Sequence, residues 1–130
     1  FRYLRIRNYV MKASQIIKAD YERLGKDPVK PLAALTKLIQ NKGAILLQEG
    51  DTVLVLINIG DKAVELHIFT QESPIRVAKA MIQFIKKIRN TDLETVYGSD
   101  VQEQTLDLLS KLDVEVMPSD NPKYKWMAKV

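Results

Sequence analysis

The hydrophobic pattern changes period once between positions 62 and 90, and the rest of the chain can be read outward from that change. Val64, Leu66 and Ile68 alternate with Glu65, His67 and Phe69, so each set lies on one face of a strand. From Ser73 onward the period lengthens. Ala78, Met81, Ile82, Ile85 and Ile88 recur at helical spacing, with Arg76, Lys79, Gln83, Lys86, Lys87 and Asn90 on the opposite side. Ser73-Pro74 is a helix start, a hydroxyl at the cap followed by the residue that suits the first turn. A strand–loop–helix junction of this kind leaves backbone N–H groups unpaired, which is the usual geometry for holding a phosphate.

The remaining segments follow in order. Arg2, Leu4 and Ile6 alternate with Tyr3, Arg5 and Arg7, which predicts an edge strand over 2–7. Asn8 is the expected cap of a helix through Arg23, with Ala13, Ile16, Ile17, Tyr21 and Leu24 facing inward and Gly25 as its stop. After a loop at 26–31, a second helix is expected from Pro31 with Leu32, Leu35, Leu38 and Ile39, closed by Gly43. Segments 44–49, 52–59 and 62–70 are joined at Gly50-Asp51 and Gly60-Asp61, which predicts a three-stranded antiparallel meander. Its middle strand is apolar on both faces, as for a strand covered on both sides. Segment 93–98 is a strand that returns after the long helix, so it should lie parallel to the strand at 62–70. A helix over 101–112 follows, capped by Asp100, with Leu106, Leu109 and Leu112 inward. Strands at 114–118 and 123–130 close the chain. The expected class is α/β (α+β), a mixed sheet in the order β-α-α-β-β-β-α-β-α-β-β, forming one domain over 1–130.

Composition narrows the chemistry. With 130 residues, 46% hydrophobic and 28% charged, the chain has an ordinary globular balance. It has no cysteine, which rules out disulfides, thiolate metal sites and cysteine nucleophiles and favours a reducing compartment. One His, and no carboxylate cluster at ligand spacing, offer little for a metal. No apolar run has the length of a membrane span, and the start lacks a signal-peptide core. The first residue is Phe1 rather than Met, so the segment is expected to begin inside a longer chain or a processed precursor. The net charge of +4 suits an acidic or phosphate-bearing partner without requiring one.

The order of elements resembles the GNAT superfamily of acyl-CoA-dependent N-acetyltransferases, most closely over residues 62–130. IFTQESPIRVAKAMIQFI has the length and spacing of the family's strand–loop–helix. LDLLSKLDVEVMP is similar to its late helix and following strand, the L-Y-x-K-L-G-F pattern, and KYKWMAKV to its last strand. The resemblance implies acetyl-CoA or another acyl-CoA as cofactor, bound around Ile68, Ser73, Ile75, Arg76, Val77 and Ala78. It also implies an amine acceptor, a small molecule or a protein. The family's loop pattern Q/R-x-x-G-x-G/A falls on residues 73–78, where only Ala78 conforms. Arg76 replaces the middle Gly, and Pro74 deletes a donor. Two readings stay open: Arg76 supplies charge in place of backbone access, or it is a solvated residue at a disused site.

The family's proton-donating Tyr falls on Leu109, which leaves that role to Tyr97 or Tyr124 if either reaches in. Glu65 and His67, two apart on one strand face, are the candidate base for the attacking amine; a structural polar pair is the plainer reading. A scaffold that has lost the reaction and serves as a structural or interaction module is therefore the alternative. Such versions are known in the superfamily, including among proteins carried by bacteriophages, and this chain, with its degenerate loop, resembles those. The compartment expected is the cytoplasm, or the virion for a phage protein, and a homo-oligomer is compatible with either. Three basic groups, at 2–7, 76–87 and 123–129, leave nucleic-acid binding as a weaker alternative, against which they read as solvated faces.

Overall fold

Alternation along residues 52–70 decides how the sheet is covered. A computed structural model describes residues 12–99 and 103–130, with the backbone alone for 103–105. Its elements are α1 (Ala13–Arg23), α2 (Val29–Gln40), β1 (Ala44–Glu49), β2 (Thr52–Gly60), β3 (Ala63–Thr70), α3 (Pro74–Arg89), β4 (Thr95–Gly98), α4 (Glu103–Lys111), β5 (Val116–Pro118) and β6 (Trp126–Lys129). Among the described residues the six strands form one sheet in the order β1-β2-β3-β4-β6-β5. β1, β2 and β3 are the antiparallel meander, β4 lies parallel to β3, and β6 pairs antiparallel with both β4 and β5. The expected mixed sheet with a central parallel pair is what the chain forms. The strand expected at 2–7, and the caps Asn8 and Asp100, lie outside the described residues.

On β2, Val53 and Val55 join Ile16, Ile17, Leu35 and Phe69 beneath α1 and α2, while Leu54 and Leu56 join the core under α3 and α4. Thr52 through Leu56 are all buried, as a strand covered on both faces requires. Phe84 is fully buried at the centre of the α3 side, with Met81, Ile85, Ile88 and Val96 around it. Burying side chains of this size stabilises by about 1.5–3 kcal/mol each, and that burial, rather than helix propensity, holds α3 on the sheet.

Several boundaries and faces differ from expectation. α1 begins at Ala13, because Lys12 is extended and its N–H is accepted by the Gln15 side chain at 3.1 Å. Leu24 is 57% exposed, since it follows the last helical residue and turns away from the α1 stripe. α2 starts at Val29, ahead of Pro31, because the Asp27 carboxylate accepts the Val29 N–H at 3.0 Å and Pro31 fits the first turn without a donor. On α3, Ala80 and Phe84 are buried and Ile82 is 36% exposed. The helical angle carries Ile82 off the Met81–Ile85–Ile88 line to the rim. The closing strands are shorter than read, and residues 123–125 belong to the turn that precedes β6.

Candidate functional site

The parallel pairing of β3 with β4 covers only Ala63–Glu65 against Thr95–Tyr97. Beyond it, β4 stays with β6 through Gly98↔Trp126, while β3 stays with β2 as far as Thr70. From Leu66 on, β3 has no strand partner on its β4 side among the described residues, and the sheet opens into a wedge. The wedge is a cleft of about 450 Å³, with Leu66, Ile68, Val77, Ala78 and Trp126 among its apolar walls and His67, Glu72 and Lys111 among its polar ones. Trp126 is 5% exposed and forms the floor. Gly98 admits it: a Cβ added at Gly98 collides with the indole ring, 2.6 Å from Nε1 and nearer still to Cζ2 and Cε2.

Of the residues singled out from sequence, Ile68, His67, Val77 and Ala78 line this cleft. Ser73 is exposed at the N-cap of α3, where its carbonyl accepts the Val77 N–H at 3.0 Å. Ile75 is 72% exposed, outside the cleft. Arg76 lines a shallower groove with Glu49, Lys79 and Gln83 on the outer side of the loop.

Glu65 and His67 meet, with His67 Nε2 2.5 Å from Glu65 Oε2. Both sit on the α1/α2 face of β3, Glu65 opposite Ile57 and His67 opposite Val55. The other carboxylate oxygen, Oε1, accepts the Tyr124 hydroxyl at 2.7 Å. Burial pushes the Glu65 carboxyl up. Hydrogen bonds from His67 and Tyr124, with positive charge at His67 and Lys123, outweigh that and hold it below its ordinary value. Tyr124 is pushed up to about 12, first by burial and then by donating to Glu65. Its ring stacks on Tyr97 at 5.2 Å, and Tyr97 donates to Asp120 at 2.7 Å. Both tyrosine hydroxyls considered as acids are thus engaged with carboxylates. Glu65 is a firmly ionised acceptor that fixes the imidazole through Nε2. On α4, Leu109 is buried in the core, and the residues facing the cleft are Asp107, Leu108 and Lys111.

The residue that sequence reading missed is Glu72. Its side chain is 10% exposed and turns back from the β3–α3 loop onto the β1–β2 turn. Oε1 accepts the Asp51 N–H and the Thr52 hydroxyl, both at 3.0 Å. The Glu72 N–H donates to Thr70 Oγ1 at 3.0 Å, and Thr70 Oγ1 lies 2.8 Å from Thr52 Oγ1. Gly50, at φ +57°, leaves room for the carboxylate, which lies 3.0 Å from where a Cβ would stand. Arg76 Nη1 is 3.8 Å away from Oε2 and largely solvated. Nothing in the spacing of QES distinguishes this glutamate from a surface one; only the fold-back shows it.

No family model matches the sequence, and no curated protein matches it. Solved structures do. N-acetyltransferase PseH of Campylobacter jejuni, in complex with acetyl coenzyme A, superposes with TM-score 0.53 at 16% identity, covering 100% of this chain and 92% of that one. A Vibrio cholerae spermidine N-acetyltransferase SpeG mutant gives 0.53 at 10% identity, over 80% of this chain and 73% of that one. A domain from Methanocaldococcus jannaschii gives 0.57 at 12%, over 91% and 87%. The chain has the GNAT fold. At these identities the likeness establishes the GNAT architecture and leaves activity to the residues.

Those residues fit only part of an acyl-CoA. The wedge offers apolar walls and an open β3 edge, with room for an extended chain. The loop does not fit the pyrophosphate. Pro74 has no N–H to give, and the carboxylate of Glu72 already stands at the mouth.

Proposed function

We propose that this chain is a GNAT-fold ligand-binding module in which acyl transfer to amines has been lost. It holds an extended, amide-bearing chain in the wedge between β3 and β4. The observation that supports this reading is the state of the proton-transfer groups. The Tyr124 hydroxyl is committed to Glu65, Glu65 is held ionised by two hydrogen bonds, and α4 turns Asp107, Leu108 and Lys111 rather than a tyrosine to the cleft. A thioester needs its departing thiolate stabilised as well as its amine deprotonated, and general acid–base help contributes about 10²–10⁴-fold.

One observation favours a second reading. His67 lines the cleft with Nε2 held by Glu65, an arrangement that leaves Nδ1 for an incoming ammonium. In that reading the chain is an N-acyltransferase, with His67 as base and Glu65 as the residue that positions it. The deciding measurement is thiol release from acetyl-CoA and from acetyl-pantetheine over a panel of primary amines, for the wild type and His67→Ala. The proposal expects no amine-dependent release above the His67→Ala level. Amine-dependent release that His67→Ala abolishes overturns it in favour of the transferase.

A further inference from the structure

We infer that Glu72 sets the ligand class of the wedge: it admits an uncharged extended chain and turns away one that carries a phosphate at the β3–α3 loop. This deepens the binding reading above and rests on it for the role of the wedge, but not for the role of the loop. Four observations converge. Glu72 lines both the wedge and the groove on the outer side of the loop, so any group that passes the start of α3 passes this carboxylate. The side chain is fixed there by two consecutive donors where the β1–β2 turn enters β2, Asp51 N–H and Thr52 Oγ1, within a closed ring of hydrogen bonds through Thr70. The nearest cation, Arg76 Nη1 at 3.8 Å, is 75% exposed and only weakly offsets the charge. Pro74 occupies the first helical position, so the helix start offers one N–H fewer to an anion.

In effect the chain supplies its own anion to the positive end of α3. A phosphate brought there meets a like charge in a partly desolvated setting, and such juxtaposition is the usual way a site rejects a close analogue. The walls beyond Glu72 combine apolar residues such as Leu66, Ile68 and Trp126 with charges of both signs, Asp20 and Asp107 against Arg23 and Lys111, and so carry no such bias. Acetyl-pantetheine, which has the arm without any phosphate, should therefore bind the wild type at least as tightly as acetyl-CoA does.

The test compares wild type with Glu72→Gln, which keeps an oxygen to accept from Asp51 and Thr52 while removing the charge. Folding of both is checked by thermal denaturation. Calorimetry is run with inorganic pyrophosphate, acetyl-CoA and acetyl-pantetheine. The expected result is a gain of about tenfold or more in affinity for pyrophosphate and acetyl-CoA in Glu72→Gln, with acetyl-pantetheine unchanged. Glu72→Ser, which removes bulk as well as charge, should show the same gain and serves if the glutamine packs poorly. The inference is overturned if neither variant gains affinity for pyrophosphate, or if the wild type prefers acetyl-CoA to acetyl-pantetheine. If the variants gain pyrophosphate affinity while acetyl-pantetheine binds to none of the three proteins, the role of Glu72 stands and the wedge reading fails.

Discussion

Replacing Gly98 with alanine would drive a methyl group into the indole of Trp126. The added Cβ overlaps Trp126 Cζ2 and Cε2 and stands 2.6 Å from Nε1, far inside van der Waals contact. Both residues are fixed by the sheet, since Gly98 and Trp126 are paired across β4 and β6, so the backbone has little room to yield. The indole must leave the wedge floor, where it is 5% exposed and packed in the same core as Phe84 and Val96. Overpacking alone costs about 1–3 kcal/mol. Displacing a buried Trp brings the estimate to about 3 kcal/mol, toward the low end of complete Trp removal. For a chain of this size that is a fall in Tm of about 12 °C, at about 4 °C per kcal/mol. Trp126 is the single tryptophan, so intrinsic fluorescence reports this side chain directly. Gly98→Ala should red-shift its emission as well as lower Tm. In a double-mutant cycle, Trp126→Leu should remove most of the penalty, leaving a coupling energy above about 0.5 kcal/mol. An unchanged emission maximum, with Tm within 2 °C or so of wild type, would show that the close approach is not what holds the floor in place.

Four further outcomes are expected. Phe84→Ala, at a fully buried site, should destabilise by about 3–5 kcal/mol in urea unfolding. Thr52→Val strips a buried hydroxyl from the Thr70–Glu72 ring and should cost about 1–3 kcal/mol, because Glu72 loses a donor; a neutral result would show that the ring is decorative. Glu65 has a folded pKa below its ordinary 4.5, so its stabilisation is present above that pH and fades as pH falls through the lower folded value. The stability gap between wild type and Glu65→Gln should therefore shrink in acid, and a gap constant from pH 7 to pH 3 or so would contradict the network. Tyr124 has a folded value of about 12 against an ordinary 10.0, so its contribution is complete below 10 and is lost as pH rises toward 12. Tyr124→Phe should lack that part of the alkaline loss of stability seen in wild type.

Much of the architecture was legible because periodicity alone carried it. Val64, Leu66 and Ile68 against Glu65, His67 and Phe69 told which residues of β3 share a face, and the Gly-Asp links told of the meander. The parallel return of β4 followed from an intervening helix, without any contact being known. Faces failed at Ile82 and Leu24, because composition does not say which of the adjacent Met81 and Ile82 the helix angle will favour, nor that α1 ends at Arg23, one residue before Leu24. The site was legible in part. Strand period predicts that Glu65 and His67 share a face, but it says nothing of Tyr124, whose hydroxyl arrives from 59 residues away. Glu72 was hidden for a similar reason. Its partners Asp51 and Thr52 belong to another hairpin, and a polar residue in a loop looks the same in sequence whether it faces water or folds back.

The two halves of the sheet, β1-β2-β3 and β4-β6-β5, are stitched together by three residue pairs, Ala63–Glu65 on Thr95–Tyr97. So short a seam acts as a fulcrum. From it to Thr70 the arm of β3 that is paired only with β2 spans five residues, about 16 Å at roughly 3.3 Å each. A pivot of about 5° at the seam shifts the far end of that arm by about 1.4 Å, close to a carbon–carbon bond length. Side-chain volume at Val64 and Val96, which sit at the seam and not in the cleft lining, would then work as an aperture control, widening or narrowing the opening.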